Sequence, residues 1–495
     1  MKCQTMSHKS PEQNKKQRHI KYIANMKTFR KIILSITSFA ISTGLSYGQH
    51  FIDKKETDVH LMSETYQWPT NPEVLEKLDK WQDLKFGVLF HWGLYSVEGI
   101  NESWPLCSEE RFYDRRKKIQ PDMNYEEFKQ WYWSLSNKFN PTEFNPKKWA
   151  EIMADAGMKY MVFTTKHHEG FCMFDTRTTD FSIAKGPFKN NPLKDVTYHV
   201  FDEFRKKDFM IGAYFSKPDW HNQFYWNPDM ATPDRNVNYN IKQHPDWWNK
   251  FKNFTAQQID ELTTKYGRVD ILWLDGGQVR PENGQDIGLD KIIEKARKTQ
   301  KGMLAVDRTV PGKNENYATP EMRIPPKQLN YPWESNIQLT KGWGWRKNTE
   351  YKSSRWIINT LIEITAKGGS FLVGIGPTPQ GTIEEEAIVR LKETGLWLKD
   401  FGKAIYSTRI TPNYNNGNTW FTASKDNKTI YAIYALPEGE KLPKTISWKG
   451  NKPKGSIRIV KNNRKVKYSC DGDNVTVTLP EGLKNEPIAL YFNKQ

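Results

Sequence analysis

Apolar and polar positions follow two different periods along the central part of the chain. Short β-branched and aromatic runs, typical of buried strands, alternate with longer stretches whose apolar residues recur every three or four positions. The predicted strands span residues 86–91, 160–165, 209–215, 269–275, 302–307 and 370–376, and the predicted helices span 146–156, 198–206, 248–266, 289–299 and 354–366. Repeated strand–helix units predict a parallel sheet, and their number over residues 66–405 favours an α/β fold with a (β/α)8-like TIM barrel.

The pattern changes after residue 405. Short alternating runs joined by Asn, Gly and Lys turns follow at residues 419–423, 429–434, 445–448, 456–460 and 475–479. This pattern of short strands and turns predicts a C-terminal antiparallel β-sandwich over residues 408–495. A chain of 495 residues is also too long for one compact domain, so we expect a barrel domain and a β domain.

The first 48 residues have the pattern of a targeting segment. From Met26 the chain has three basic residues, then the uncharged and mostly apolar stretch 32–45, then small residues before a cut after Gly48. This pattern predicts a secretory signal peptide behind an N-terminal extension, with translation starting at Met26. We therefore expect a periplasmic or secreted protein without stable membrane insertion, since the apolar stretch is too short to span a bilayer.

The net charge of +17 suggests nucleic-acid binding until its distribution is considered. Residues 1–48 hold nine Lys or Arg and one Glu, and the remaining basic residues are interleaved with acidic ones. We therefore predict no nucleic-acid partner. Beyond residue 48 the only cysteines are Cys107, Cys172 and Cys470, an odd number at wide spacing that favours neither a disulfide framework nor a zinc site. The pattern leaves the oligomeric state open.

Polar and aromatic side chains mark the ends of the predicted strands. They are His91 and Trp92 after the first strand, His167 and His168 after the second, Tyr214 near the end of the third, and Asp275, followed by two glycines, at the end of the fourth. Since catalytic groups lie at the carboxyl ends of barrel strands, we expect these side chains to share one concave face. A lone histidine is more often structural, and Asp275 alone could cap a turn, so the prediction rests on the whole set.

The cluster has no signature of a metal or nucleotide site. Adjacent histidines cannot share a helical face as H-E-x-x-H requires, and no glycine-rich phosphate loop is present in the sequence. We therefore predict no metal and no cofactor. Aromatic residues make up 13% of the chain, including 19 Trp, and flat rings cover the apolar face of a pyranose. The polar cluster therefore indicates hydrogen bonding to a sugar.

Four segments carry a resemblance to a known family. They are KFGVLFHWG at 85–93, YMVFTTKHHEGF at 160–171, DILWLDG at 270–276 and GSFLVGIGPT at 369–378. In this order they resemble the α-L-fucosidases of glycoside hydrolase family 29. The resemblance implies a retaining exo-α-L-fucosidase with a barrel and a β-sandwich, no cofactor, and a fucosylated oligosaccharide or glycoconjugate as substrate. A glycosidase for a related sugar such as L-galactose, or a fucose-binding protein without activity, remains the alternative.

The resemblance also implies roles for carboxyl groups. Asp275 matches the nucleophile, which retaining glycosidases pair with a second carboxyl group that acts as acid and base. That second group is Glu321, in NYATPE, or Glu334, in YPWES, and the family context favours Glu321. Glu102 is an outside candidate, because family members carry a Glu-Trp pair there, whereas here Ser103 separates the two residues.

The remaining site residues are expected to hold the sugar. The resemblance implies hydrogen bonds to fucose from His91, His167, His168 and Tyr214, with Arg308, Trp273, Trp92 and Glu102 near the site. Trp104, Trp343 and Trp345 are expected to form an apolar wall for the C6 methyl group, or else to pack within loops.

Overall fold

The structure, a computed structural model, describes residues 66–232 and 234–495. The predicted signal peptide and the predicted start at Met26 lie outside the described residues. In the described ranges, no helix has both the length and the apolar character needed to cross a membrane.

Seven parallel strands form the central sheet, in the order β5-β4-β3-β2-β1-β7-β6. They are β1 (Phe86–Phe90), β2 (Tyr160–Lys166), β3 (Met210–Ser216), β4 (Ile271–Asp275), β5 (Leu304–Asp307), β6 (Glu334–Gln338) and β7 (Ser370–Ile375). The helices of this part are α1 (Pro72–Leu84), α2 (Tyr113–Ile119), α3 (Tyr125–Ser134), α4 (Pro146–Asp155), α5 (Val196–Arg205), α6 (Pro245–Lys265), α7 (Leu289–Thr299), α8 (Ser354–Ala366) and α9 (Glu385–Phe401). The predicted α/β barrel architecture is confirmed.

The gap between β5 and β6 is closed by irregular chain. Residues 314–322 form an antiparallel bridge to β5 at Val306–Glu315 and parallel bridges at Ala318–Trp333 and Glu321–Asn336. The strand β6 was not predicted, because its sequence Glu-Ser-Asn-Ile-Gln is polar although all five residues are buried. A buried polar strand has no hydrophobic period for sequence reasoning to detect.

Helix α1 closes the bottom of the barrel. Asn71 caps it by accepting from the backbone of Glu73 and Val74, and Pro72 occupies its first turn, where no amide donor is needed. Its apolar face joins the barrel interior, where Trp81 stacks on Tyr317 with ring centroids 4.0 Å apart. Among the described residues, the bottom of the barrel is therefore filled with packed apolar side chains.

The C-terminal part folds into two antiparallel sheets. One has the order β13-β16-β11-β10-β8 with β9 paired to β10, and the other has the order β12-β15-β14. The strands are β8 (Thr408–Arg409), β9 (Asn415–Asn416), β10 (Thr419–Ser424), β11 (Thr429–Tyr434), β12 (Thr445–Lys449), β13 (Pro453–Ile459), β14 (Lys467–Asp471), β15 (Asn474–Thr478) and β16 (Ile488–Lys494). Trp448 and Phe492 stack between the sheets, so the predicted β-sandwich is confirmed. The predicted domain limits of 66–405 and 408–495 stay predictions.

Candidate active site

A pocket of about 520 Å³ lies at the carboxyl ends of the parallel strands. Its lining includes Asp275 from the end of β4, Arg308 just after β5, and His168 just after β2. Glu321 comes from the segment that closes the barrel, and Glu102 from the loop after β1. Five separate parts of the chain thus place ionisable groups around one cavity, as expected from parallel strands that end on the same face.

Asp275 is held by donors on several sides. The Tyr214 hydroxyl donates to Oδ2 at 2.7 Å, while Arg308 Nη1 and the Gly276 amide donate to Oδ1 at 2.9 and 2.8 Å. His168 Nε2 lies 3.8 Å from Oδ2. Burial raises the pKa of Asp275, but Arg308 and the other neighbours outweigh burial and hold that pKa well below its usual range. Asp275 is therefore an ionised carboxylate over the whole physiological pH range.

The two glycines after Asp275 are required by close packing. Gly276 has φ +88°, and a Cβ there would lie 2.2 Å from Pro218 Cδ. A Cβ on Gly277 would lie 2.0 Å from Thr309 Oγ1. These contacts let the chain turn sharply at the end of β4, which leaves the Asp275 side chain at the pocket floor.

Arg308 connects two carboxylates. Its Nη1 donates to Asp275, and its Nη2 donates to Glu321 Oε2 at 2.5 Å. The guanidinium lies over the ring of Trp273, 4.4 Å from the centroid, which fixes its plane. Burial lowers the pKa of Arg308, but the two carboxylates outweigh it and raise that pKa above its usual range. Arg308 therefore stays charged although it is buried.

Three buried histidines surround the carboxylate. The ring of His91 lies 5.1 Å from that of His167 and 5.4 Å from that of Tyr214, measured between centroids. Burial, reinforced by the neighbouring His167, lowers the pKa of His91 and of His168 well below the usual value. These two imidazoles are therefore neutral near pH 7, and each offers one donor and one acceptor, which suits hydroxyl groups.

The aromatic wall is formed by two of the three predicted tryptophans. Trp343 and Trp104 line the pocket, with Trp343 5.5 Å from the His91 ring and Trp104 4.8 Å from the His168 ring. Trp345 does not line it. Its indole donates to Glu384 Oε1 at 2.7 Å and packs near Gly99, so the expectation of a pocket contact is wrong for Trp345.

Trp92, which was expected near the sugar, lies outside the pocket. Side chains alternate along β1 and its extension, so that His91 faces the barrel interior and Trp92 faces the helix layer. Trp92 packs at 5.1 Å from Trp149 of α4 and donates to the Thr378 carbonyl at 3.0 Å. It is a core residue and does not reach the pocket.

Glu334 begins β6 and lies in the barrel interior, not in an irregular loop. Its oxygens accept from the Tyr160 hydroxyl at 2.8 Å and from Trp273 Nε1 at 3.1 Å, and it is 0% exposed. Burial raises its pKa to about 7. Glu334 does not line the pocket, and Trp273 lies between it and Arg308.

Glu102 does line the pocket, despite the inserted serine. Burial raises its pKa to about 7, and Arg115 Nη1 donates to it at 3.3 Å. The inserted Ser103 turns inward, and its hydroxyl lies 2.5 Å from His167 Nδ1. Glu102 and Trp104 therefore both reach the pocket, and Ser103 orients a histidine.

Several residues near the site were not predicted. They include Ser103, Glu169, which lies 3.3 Å from His167 Nδ1, and the pocket-lining arginines Arg111, Arg115, Arg235 and Arg323. Most of them lie on loops after β1 and β3 or beside Glu321. Apart from the basic residues clustered at 111–118, nothing in the local pattern marks them.

His167, His168 and Asp275 present nitrogen and oxygen atoms within 4.8 Å of one another. A divalent cation at this point would meet the Arg308 guanidinium, which already contacts Asp275. Like charges at that distance repel, so the donor set suits hydroxyl groups better than a metal. The prediction of no metal and no cofactor stays a prediction.

Comparisons with known proteins agree on one family. The α-L-fucosidase family model matches residues 55–403. The plasma α-L-fucosidase of Rattus norvegicus is 29% identical over 381 residues, covering 72% of this chain and 77% of the relative. The structure of α-L-fucosidase isoenzyme 1 from Paenibacillus thiaminolyticus is similar with a TM-score of 0.70 and 24% identity, over 86% of this chain and all of that one.

A second similar structure comes from a Bacteroides thetaiotaomicron α-L-fucosidase. It is described as a trapped covalent intermediate with 2-fluoro-fucosyl fluoride, obtained with a Glu-to-Gln mutant. Its TM-score is 0.68 at 20% identity, over 86% of this chain and 97% of that one.

Proposed function

Because this chain belongs to the α-L-fucosidase family of glycoside hydrolases, we propose that it is a retaining enzyme that works through a covalent fucosyl intermediate on Asp275. Family membership makes it a hydrolase that releases α-L-fucose, with a fucosylated glycan as substrate. The double displacement and the roles of single residues are the proposal. The observation that carries it is the Arg308 bridge between Asp275 and Glu321.

In the first step, an oxygen of Asp275 attacks the anomeric carbon of fucose while the bond to the leaving oxygen breaks. Glu321 gives its proton to that oxygen. In the second step, Glu321 takes a proton from water, the water oxygen attacks the anomeric carbon, and Asp275 leaves as a carboxylate. Two inversions give net retention, which is the reaction of paired carboxyl groups about 5–5.5 Å apart.

Asp275 suits the nucleophile because its low pKa keeps it ionised. The hydrogen bonds from Tyr214 and Arg308 orient it, and the covalent trapping reported for the Bacteroides thetaiotaomicron relative supports an intermediate of this kind. The neutral His168 lines the pocket and would bind a sugar hydroxyl, and the ring of Trp343 would contact the C6 methyl group.

Glu321 suits the acid and base because it lies on the opposite end of the Arg308 guanidinium, faces the pocket and is 32% exposed. Water and leaving group can therefore reach it. Glu334 is sealed below Trp273 and reaches neither. Glu102 is the competing candidate, because it lines the pocket and its pKa of about 7 provides a proton near neutral pH.

The stereochemistry of azide products tests the assignment. We expect Asp275→Gly and Glu321→Gly each to lose at least about a thousandfold of kcat on 4-nitrophenyl α-L-fucoside. Azide should restore turnover in both. It should give β-L-fucosyl azide with Asp275→Gly, where azide replaces the nucleophile, and α-L-fucosyl azide with Glu321→Gly, where it replaces water. NMR of the products distinguishes the anomers.

Glu102→Gly and Glu334→Gly serve as controls in the same assay. If azide yielded the α-azide with Glu102→Gly and not with Glu321→Gly, the acid and base would be Glu102. If Asp275→Gly kept near wild-type turnover, the nucleophile assignment would be wrong. Kinetics with the matching L-galactoside then establish how strictly the pocket selects fucose.

On the sequence of residues 26–48 alone, we further propose export to the periplasm or beyond.

A further inference from the structure

The mouth of the catalytic pocket is lined by basic residues of a single type. Arg111, Arg115, Arg235 and Arg323 line the pocket together with Arg308, and no lysine among the described residues does. The chain contains 55 Lys and 19 Arg, so basic residues placed without selection would mostly be lysines. All four basic residues at the mouth are arginines, which favours a role for the guanidinium group itself. Its planar fork binds carboxylate and sulfate groups through paired hydrogen bonds.

Charge is divided between the floor and the mouth of this pocket. On the floor, Arg308 faces two carboxyl groups, Asp275 and Glu321, and the ionised Asp275 places a negative charge beside the anomeric carbon. That arrangement suits the positive charge that develops on the sugar in the transition state. The mouth needs a different explanation, since the proposed reaction makes no use of its four arginines.

Acidic groups at the mouth neutralise the arginines only in part. Arg111 and Arg235 share one carboxylate, that of Glu109, at 2.8 Å and at 2.6 Å. Arg115 meets only Glu102, at 3.3 Å, and burial raises the pKa of Glu102 to about 7, so that this carboxyl is not fully ionised near neutral pH. Arg111, Arg115 and Arg235 together therefore keep an excess of positive charge at the mouth.

Stacking holds these guanidiniums in place next to the sugar site. Arg235 lies 4.7 Å above the ring of Trp104, and Arg111 lies 4.7 Å above the ring of Phe112. The two rings stack at 5.5 Å, and Trp104 contacts His168. A stacked guanidinium can still hydrogen bond through its edges, and Arg235 uses one edge for Glu109, to which Nε and Nη2 donate at 2.6 and 2.7 Å. Within the described chain, Arg111 hydrogen bonds only from Nε, and its side chain is 51% exposed.

We propose that the arginine mouth, defined as Arg111, Arg115, Arg235 and Arg323, binds an anionic group on the sugar that carries the fucose. The preferred substrates are then acidic fucosylated glycans, with a sulfate ester or a carboxylate near the scissile bond. This inference rests on the proposed fucosidase activity, because the anion is recognised as part of the leaving group.

Matched neutral and acidic substrates test the proposal. We would measure fucose release from a neutral fucosylated N-acetyllactosamine, with the fucosyl linkage that the enzyme cleaves fastest, and from the same glycan sulfated or sialylated on galactose. We expect kcat/KM to be about fivefold higher for at least one acidic form, in line with a charge-assisted contact at an exposed rim. The sulfated and sialylated forms distinguish the two sources of the anion.

Variants link the preference to the arginine mouth. Arg111→Gln should lower the acidic-to-neutral ratio of kcat/KM about threefold, with the neutral glycan measured on the same variant as the reference. Arg111→Lys keeps the positive charge but loses the planar guanidinium fork. Its acidic-to-neutral ratio should therefore lie between those of the wild type and Arg111→Gln. Arg464→Gln removes the same charge from an exposed position outside the pocket and should leave the ratio unchanged. Raising the salt concentration to 1 M should weaken the preference of the wild-type enzyme.

The failure of each proposal is distinguishable. Turnover of neutral glycans at an equal or higher rate than both acidic forms would overturn the arginine mouth and leave the fucosidase intact. If no fucoside were hydrolysed, the proposed function would fail, and calorimetry with the Asp275→Asn variant would still test the anion site. Tighter binding of the sulfated or sialylated glycan than of the neutral one would support the arginine mouth, and equal binding would overturn it.

Discussion

The protonation state of each charged residue at this site depends on two or three neighbouring residues. Asp275 is low in pKa because Arg308, Tyr214 and His168 surround it, and Arg308 stays charged because Asp275 and Glu321 face it. The sequence identifies Asp275 and the histidines, because they end apolar runs. It identifies Arg308 only through resemblance, since the strand before it is short and its partners are distant in the chain.

Removing the Arg308 charge should change both rate and pH dependence. We expect Arg308→Gln to lower kcat/KM about a hundredfold or more, as for the loss of a preorganised charge next to developing charge. The pKa of Asp275 is held down by Arg308, so it should rise in the variant, and activity should be lost at a higher pH on the acid side. Arg464→Gln, which removes a guanidinium at an exposed position outside the pocket, is the control. An unmoved acid limb would contradict the role of Arg308.

The ionisation of Glu334 should lower the free energy of unfolding as the pH rises. Its pKa is about 7 in the folded protein against 4.5 for a free side chain, so the folded state keeps the proton longer than the unfolded state. The stability that this group contributes is full below about pH 4.5 and is lost as the pH rises to about 7. We expect Glu334→Gln to gain relative to wild type by about 2 kcal/mol between pH 5 and pH 8.

Urea unfolding at the two pH values measures this difference. Glu481→Gln, at an exposed position, should show no such gain in the free energy of unfolding between the two pH values. A wild-type advantage that grew with pH would show that Glu334 is charged and well paired in the folded protein.

Among the elements, the strands that bury apolar residues on both faces were predicted, and the polar closure of the barrel was not. The segment 314–322 has no strand pattern, but it carries Glu321 to the pocket by bridging β5 and β6. Trp92 was expected near the site for a related reason. The sequence pattern marks the end of β1 but does not show which of two adjacent side chains faces the barrel interior.

Asn316 connects this segment to β5 and should be important for both stability and rate. Its side chain accepts from the Ala305 amide at 2.8 Å and from Arg297 Nη2 at 3.0 Å, and it is buried. Asn316→Ala leaves those donors without an acceptor, so we expect a loss of about 1–3 kcal/mol in the free energy of unfolding and a lower kcat as Glu321 shifts. Asn415→Ala, at an exposed position in β9, should cost less than about 0.5 kcal/mol. Equal urea midpoints for the two variants would contradict this role.

In the whole molecule, the β-sandwich packs on helices of the barrel part through specific polar contacts. Trp397 of α9 donates to the Pro487 carbonyl at 2.8 Å, and Arg355 and Asn359 of α8 donate to the Asn485 and Leu436 carbonyls at 2.7 and 2.9 Å. Arg409 and Lys425 also pair with Asp79 and Asp83 on α1. The two parts are therefore stabilised by each other.

We expect the chain to unfold in one cooperative step. Scanning calorimetry should give a single peak whose calorimetric and van't Hoff enthalpies agree, because exposing either part alone would leave buried donors such as Trp397 without acceptors. Two separated peaks would show that the sandwich is an independent unit. The same scan on Asp79→Asn with Asp83→Asn tests the ion pairs, whose loss should lower the midpoint by a few degrees at low salt.

The sequence alone determined the order of six of the seven barrel strands, the class of both parts, the nucleophile candidate at the end of β4 and the family. These follow from local periods and from short motifs, which depend on neighbouring residues. Only the tertiary structure decided which carboxyl groups share Arg308, that Glu334 is buried below Trp273 and that Trp92 faces the helices. It also gathered four arginines from three separate segments of the chain at one mouth. Such relations depend on strand register, side-chain direction and loop closure, which no local pattern encodes.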